Sequence, residues 1–271
     1  MQTSLRIIKP ANAKPLPVIA HIPHSSVIIP SNVRPQIILN DKELADELLA
    51  LTDRYTDELF DCIVKLGGYA FVNNLSRLVI DPERFLSDSM ESMAAKGMGA
   101  VYKSTSKKLV LREDKVFDNC RPFLISRYFK PYGLELEALT GNLIKEAGRC
   151  LIIDCHSYPL NPLPYEDETK AERPELCIGT SGFHTPAFII DIITAYCNEN
   201  GLSLGFNMPF KDTYVPLKYY KKSRNVSSVM FEIRRDLYMD ESNGSKNNGF
   251  ELIKTHIEAI IIRLKDAFMK P

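Results

Sequence analysis

The strongest constraint on the fold is the stretch Cys150 to Asp154, where every residue but the last is apolar or cysteine. A run this short and this apolar, directly followed by polar residues, predicts a buried β-strand. Val18 to Ile22, ended by Pro23, predicts a second. Tyr69 to Val72, Leu78 to Ile80, Leu176 to Gly179, Leu202 to Phe206 and Ser228 to Ile233 predict further strands. Between them lie helical patterns. Leu44 to Leu51 reads as a helix, and a second begins near Thr52, with Tyr55, Leu59, Ile63 and Leu66 as its apolar stripe and Gly67-Gly68 as its stop. Arg121 to Ala147 is mostly helical with Pro131 as an interruption. Pro186 to Asn200 and Gly249 to Met269 are amphipathic. Ala100 to Tyr102 and Leu109 to Leu111 can pair as a hairpin around Ser104 to Lys108. The expected fold class is α/β, a mixed β-sheet flanked by helices. It is expected as a single domain over residues 1–271, because the polar gaps Asn161 to Pro174 and Asp240 to Gly249 are too short to divide the chain.

Charge narrows the partners. Lys and Arg number 34 against 34 Asp and Glu, so the chain carries no basic surplus of the kind that nucleic acid or an acidic membrane surface attracts. No apolar run reaches the ~18 to 20 residues of a membrane span, and Met1 to Pro10 lacks a signal peptide's apolar stretch. The protein is expected to be cytoplasmic, and its oligomeric state is not encoded in any such pattern. The six cysteines fall singly, without a C-x-x-C pair, and are expected to be reduced and mostly buried. A thiolate zinc site is therefore not expected, although Cys155 directly precedes His156.

With five histidines in the chain, each can be weighed. His24 follows the Val18 to Ile22 strand and His156 follows the Cys150 to Asp154 strand. In open α/β sheets ligands bind beyond the carboxyl ends of strands, so these two can converge. Imidazoles are common zinc ligands, and a catalytic zinc takes three protein ligands plus water. Each could equally be a loop residue bonded to a backbone carbonyl. His21 is a weaker candidate, since it can face the other side of its strand. His184 stands at a helix start, and His256 lies within the last amphipathic helix. A third ligand could be Asp53 or Asp57, four apart on one helical face, though Asp53 also suits a helix N-terminus.

In Met230-Phe231-Glu232-Ile233 a carboxylate interrupts an apolar strand. Burial raises a carboxyl pKa toward that of a general base, while Arg234 or Arg235 could instead pair with it. Asn74-Leu75-Ser76-Arg77 and Asp81-Pro82-Glu83-Arg84 place two arginines on neighbouring segments, whose forked guanidinium groups suit carboxylate recognition. Asp81 and Arg84 can also pair with each other across a turn.

Taken in order, several stretches resemble the N-formylglutamate amidohydrolase family. They are Pro23-His24-Ser25-Ser26 with Pro30, Leu51 to Leu59, Ser76 to Phe85, Phe129-Lys130-Pro131-Tyr132, Asp154 to Tyr158, Cys177 to Thr180 with Phe183 to Pro186, and Met230 to Met239. The resemblance implies a zinc-carboxypeptidase-like fold with one zinc per chain between strand ends. It implies His24, His156 and Asp53 as ligands, with Asp57 the alternative to Asp53. It further implies Glu232 as general acid/base and Arg77 and Arg84 on the substrate's carboxylates. Gly133 stands where the family's pattern has His, which leaves the specificity open. The activity implied is metal-dependent hydrolysis of the amide of a small acidic N-acyl amino acid, most of all N-formyl-L-glutamate. Residues 86–113, with Gly97 and Gly99, would cover the site. The alternatives are another N-acyl or peptide-like amide, a metal-free thiol hydrolase using Cys155, and a non-catalytic module that binds carboxylates.

Overall fold

The computed structural model describes residues 3–11, 15–167 and 172–270. Residues 168–171, inside the polar stretch Asn161 to Pro174, and Met1 and Gln2 of the leading segment, lie outside the described residues. The strands are β1 (Leu5–Ile8), β2 (Val18–Ile22), β3 (Tyr69–Asn73), β4 (Cys150–Tyr158), β5 (Leu176–Gly179), β6 (Leu204–Phe206) and β7 (Val226–Arg234). They form one seven-stranded sheet in the order β1-β3-β2-β4-β7-β5-β6. Strands β3, β2, β4 and β7 run parallel; β1 joins β3 and β5 joins β7 antiparallel, and β6 runs parallel to β5. This is the mixed sheet that the alternating runs predict. The central strands β2 and β4 are buried at every residue, as a strand covered on both faces must be.

Around the sheet lie α1 (Asp41–Leu51), α2 (Thr56–Leu59), α3 (Cys62–Lys65), α4 (Asp114–Leu124), α5 (Lys130–Ala147), α6 (Ala187–Asn200) and α7 (Phe250–Phe268). One sheet face, through Val18, Ala20, Ile22, Leu151, Ile153, Cys155, Val229 and Phe231, packs on α2, α3, α6 and α7. The opposite face, through Ile19, Phe71, Cys150, Ile152 and Val226, packs on Tyr132, Leu136 and Leu143 of α5. Because side chains alternate along a strand, His21, Asp154, His156 and Glu232 all project to this α5 face.

Several expectations need correction. Leu78 to Ile80 forms a turn, not a strand: Val79 N–H donates to Ser76 O at 2.9 Å. Those side chains are buried in two small cores away from the sheet, and apolarity alone cannot distinguish such a turn from a strand. The buried Arg112 guanidinium caps it, donating to the carbonyls of Leu78 (2.7 Å) and Tyr102 (2.5 Å). The helix placed near Thr52 begins at Thr56 and is split into α2 and α3. The hairpin pairs one step later than expected, through a Ser104–Val110 bridge. Strand β4 runs on through His156 to Tyr158, so His156 lies within the strand and not beyond it. Strand β1 was not foreseen. Pro131 does not break the helix, because a π-turn at Ile125–Phe129 joins α4 to α5 and Pro131 occupies the first turn of α5, where a missing N–H costs least.

Candidate metal centre and active site

Three chain segments bring two imidazoles and a carboxylate together. His24 leaves the end of β2 behind Pro23, and His156 projects from β4. Asp53 comes from the extended segment after α1, where its backbone N–H donates to the carbonyl of His24 at 3.0 Å. The chain then reverses at Tyr55, a non-glycine residue at φ +66, a conformation that L-residues adopt at some cost and that clusters near functional sites. His24, Asp53 and His156 are 2%, 2% and 4% exposed.

The two Nδ1 atoms lie 3.3 Å apart. Oδ2 of Asp53 is 3.1 Å from Nδ1 of His156 and 3.7 Å from Nδ1 of His24. A tetrahedral zinc with Zn–N near 2.0–2.1 Å has donor-to-donor edges of about 3.3–3.4 Å. The triangle therefore fits such an ion. Two facing Nδ1 atoms cannot both donate to each other, so this contact calls for a proton or a cation.

The outer nitrogens complete the pattern. Nε2 of His24 meets Oδ1 of Asp81 at 2.9 Å, and Nε2 of His156 meets Oδ1 of Asp154 at 3.1 Å. A carboxylate on the far nitrogen is the usual support for a metal-bound histidine. Asp53 has its own support: the buried Arg235 donates to its Oδ1 at 2.8 Å and to the carbonyls of Ser157 and Ala50. Burial works against ionisation of Asp53, but hydrogen bonds from His156 and His24 and the charge of Arg235 hold it below the usual carboxylate range. Burial likewise disfavours a charged His156, yet Glu83, Asp154 and Asp53 around it raise its pKa well above the ordinary imidazole value. Such a nest of carboxylates favours positive charge between the two histidines.

Glu83 is the residue that sequence reasoning missed. Its carboxylate lies 3.2 Å from Nε2 of His156, 3.6 Å from Nδ1 of His24 and 3.5 Å from Nδ1 of His21. Donor atoms of His24, Glu83 and His156 fall within 4.8 Å of one another, as do those of His21, Glu83 and Asp154. Glu83 sits in a loop without periodicity, so only its position after Asp81 could have drawn attention. Asp154 was legible in principle: two residues before His156 on one strand, it shares that residue's face.

Glu232 of β7 stands directly opposite His156 in the parallel ladder. It is 8% exposed and its Oε2 is buried without a hydrogen-bond partner among the described residues. Burial, aided by the charge of Asp53, pushes its carboxyl up to about 8, against the opposing charges of His156 and Arg235. No salt bridge to Arg234 or Arg235 forms: Arg234 pairs with Asp236 and Arg235 with Asp53.

Arg77 and Arg84 meet on Asp81, at 2.9 and 3.3 Å. Arg77 also donates to Tyr102 Oη at 3.1 Å, and that hydroxyl donates to Asp81 at 2.6 Å. Arg84 is the freer of the two, with its side chain 26% exposed against 12%, and the Nε that faces Asp81 lies outside hydrogen-bond geometry to it. Tyr102 places the segment 86–113 beside the centre. Asp57 is elsewhere, paired with Arg6 at 2.8 Å. His184 bonds the Val226 carbonyl and accepts from Lys221 N–H, and His256 meets Tyr196 Oη. Cys155 points into the opposite core, with burial raising its thiol pKa far above normal, a poor setting for a nucleophile.

The sequence profile of the N-formylglutamate amidohydrolase family matches residues 16–239. Among solved structures, the chain is similar to an N-formylglutamate amidohydrolase from Ralstonia eutropha JMP134, with a TM-score of 0.81 and 21% identity over 97% of this chain and 98% of that one. It is also similar to a gene product of Agrobacterium tumefaciens, with a TM-score of 0.69 and 16% identity over 98% of this chain and 97% of that one. At these identities the likeness shows the fold. Among curated protein sequences none matches.

Proposed function

This chain belongs to the N-formylglutamate amidohydrolase family, and from that premise we propose that it hydrolyses the amide of N-formyl-L-glutamate to formate and L-glutamate with a bound divalent metal. The observation that supports this reading most is the triangle of His24 Nδ1, His156 Nδ1 and Asp53 Oδ2, with edges of 3.3, 3.1 and 3.7 Å, beside Oε2 of Glu232, which has no partner among the described residues. His24, His156 and Asp53 would hold one zinc per chain. Glu83, which also reaches both histidines, is the next donor in line. A zinc held there would supply Lewis acidity to the amide carbonyl and acidify a water toward pKa ~7.

The chain's own groups do the rest. Glu232 takes the proton of the attacking water and returns it to the departing amide nitrogen; its burial, which raises the carboxyl pKa in the metal-free protein, favours holding that proton between the two steps. Arg84, and behind it Arg77, bind the substrate's carboxylates and so orient the amide against the centre. Asp81, Asp154 and Arg235 hold the three ligands in place. The substrate is thus a small anionic N-acyl amino acid.

Elemental analysis together with formate release tests the reading. The expected result is about one zinc per chain in the wild type and loss of zinc and turnover together in His24→Ala. Formate should be released from N-formyl-L-glutamate faster than acetate from N-acetyl-L-glutamate. A folded wild type that takes up no divalent metal overturns the metal reading, and zinc uptake without turnover of either substrate leaves a carboxylate-binding module.

A further inference from the structure

We infer that His21, with Tyr132 behind it, is a positioning residue for His156, acting through Asp154; this rests on the metal reading above. His21 lies on β2 opposite Asp154 in the parallel ladder, is fully buried, and takes no part in the ligand triangle. Its Nδ1 is 2.9 Å from Oδ1 of Asp154, the same oxygen that meets Nε2 of His156 at 3.1 Å. Its Nε2 is 2.7 Å from the hydroxyl of Tyr132, which reaches across from the first turn of α5. The far side of Asp154 is fixed too: Tyr214 N–H donates to Oδ2 at 2.9 Å, and the Tyr214 ring stacks on His21 at 4.6 Å.

With one hydrogen on each imidazole, the contacts fix where those hydrogens sit. For Nδ1 of His156 to offer a lone pair to a cation, its hydrogen must sit on Nε2, which faces Asp154 Oδ1 at 3.1 Å and Glu83 Oε1 at 3.2 Å. His21 donates to Asp154 Oδ1, so its hydrogen is on Nδ1 and its Nε2 is an acceptor. Tyr132 Oη supplies the donor. The carboxylate of Asp154 therefore receives donors from His156, His21 and the Tyr214 backbone, which fixes its plane and through it the ring of His156. Removing His21 leaves Asp154 Oδ1 with one donor fewer, in a pocket where the imidazole also fills space between Phe71, Tyr132 and Tyr214.

Zinc affinity, measured by competition with a chromogenic chelator, tests this in the wild type, His21→Phe, His21→Asn and Tyr132→Phe. The Asn amide places an N–H near the position of imidazole Nδ1–H and so retains a donor to Asp154. His21→Phe is expected to lose roughly 10–100-fold in affinity, the range for disrupted outer partners of metal ligands. His21→Asn should recover most of that loss, and Tyr132→Phe should lose less than His21→Phe. A purely packing role would lower the melting temperature of the metal-free protein and leave affinity unchanged. Equal affinity in His21→Phe and wild type overturns the inference, as does an Asn variant no better than Phe. If His21→Phe does not fold, unchanged affinity in Tyr132→Phe overturns it. A wild type that binds no zinc overturns instead the reading on which the inference rests.

Discussion

A carboxyl group that burial pushes up to about 8, as it does for Glu232, is poised to exchange protons near neutral pH, and the same burial carries a stability cost. In the metal-free protein the folded state binds this proton more tightly than an unfolded chain, whose ordinary Glu pKa is about 4.3. The protonated group's contribution is complete below the unfolded value and is lost as pH rises through about 8. Glu232→Gln removes the titration. It should retain zinc, lose turnover by about 10²- to 10⁴-fold, and melt above wild type at pH 9 without metal. Undiminished turnover would take Glu232 out of the mechanism. The two arginines separate in a different way. Arg84→Met should raise KM by about tenfold or more, from loss of a charged hydrogen bond to substrate, with the melting temperature little changed. Arg77→Met frees Asp81 and Tyr102 as well, so it should lower both the melting temperature and metal retention. Steady-state kinetics beside thermal melts distinguish these outcomes, and identical behaviour of the two variants would contradict the difference in their surroundings. His24, His156 and Glu232 stood out in the sequence as polar residues at the edge of, or inside, an apolar run, and Asp53 as one of two acids four apart; the folded chain brings the four near one another. Glu83 and Arg235 did not stand out, because their importance comes from distances between segments far apart in the chain.

At the level of elements, the strands that carry the site were the easiest to read. β2 and β4 are buried on both faces, so each opens with a nearly unbroken apolar run, and β5 matches its expected bounds. The ends were harder. Polar Asp154 and His156 continue β4 because the strand's end enters a buried polar site, and a hydropathy pattern reads that entry as a stop. The same limit explains Leu78 to Ile80, buried in a turn whose Leu78 carbonyl is satisfied by Arg112 and not by a neighbouring strand. The segment before α2 fails as a helix for a local reason: Asp53 is drawn to the His24 backbone, and Tyr55 must adopt a left-handed turn for the chain to recover. The α5 side of the site depends on the π-turn, which carries the chain into the turn where Pro131 is tolerated and from which Tyr132 reaches His21.

Across the whole molecule, the candidate centre draws on residues near positions 24, 53, 83, 156 and 232, so it exists only when β2, β4, β7 and the intervening loops are assembled. An ion that binds only this assembled state stabilises it by mass action. Among the described residues, no helix is long and apolar enough to cross a membrane. The cysteines show a further consequence of this assembly. All six are buried and free, spread over α3, α4, β4, β5 and α6, and burial lifts the thiols of Cys177 and Cys197 to about 11 and that of Cys62 to about 12. Thiols so lifted and enclosed react slowly. Alkylation of the native protein therefore becomes a clock for its opening, reading motions on both sides of the sheet without any introduced label. Mass-resolved labelling should show almost no modification in the zinc-loaded protein, faster modification after chelation, and six modified sites in denaturant; rapid labelling of several native thiols would contradict the packing. The chain thus carries an internal record of how often each layer comes apart, written in sulfur and legible by mass.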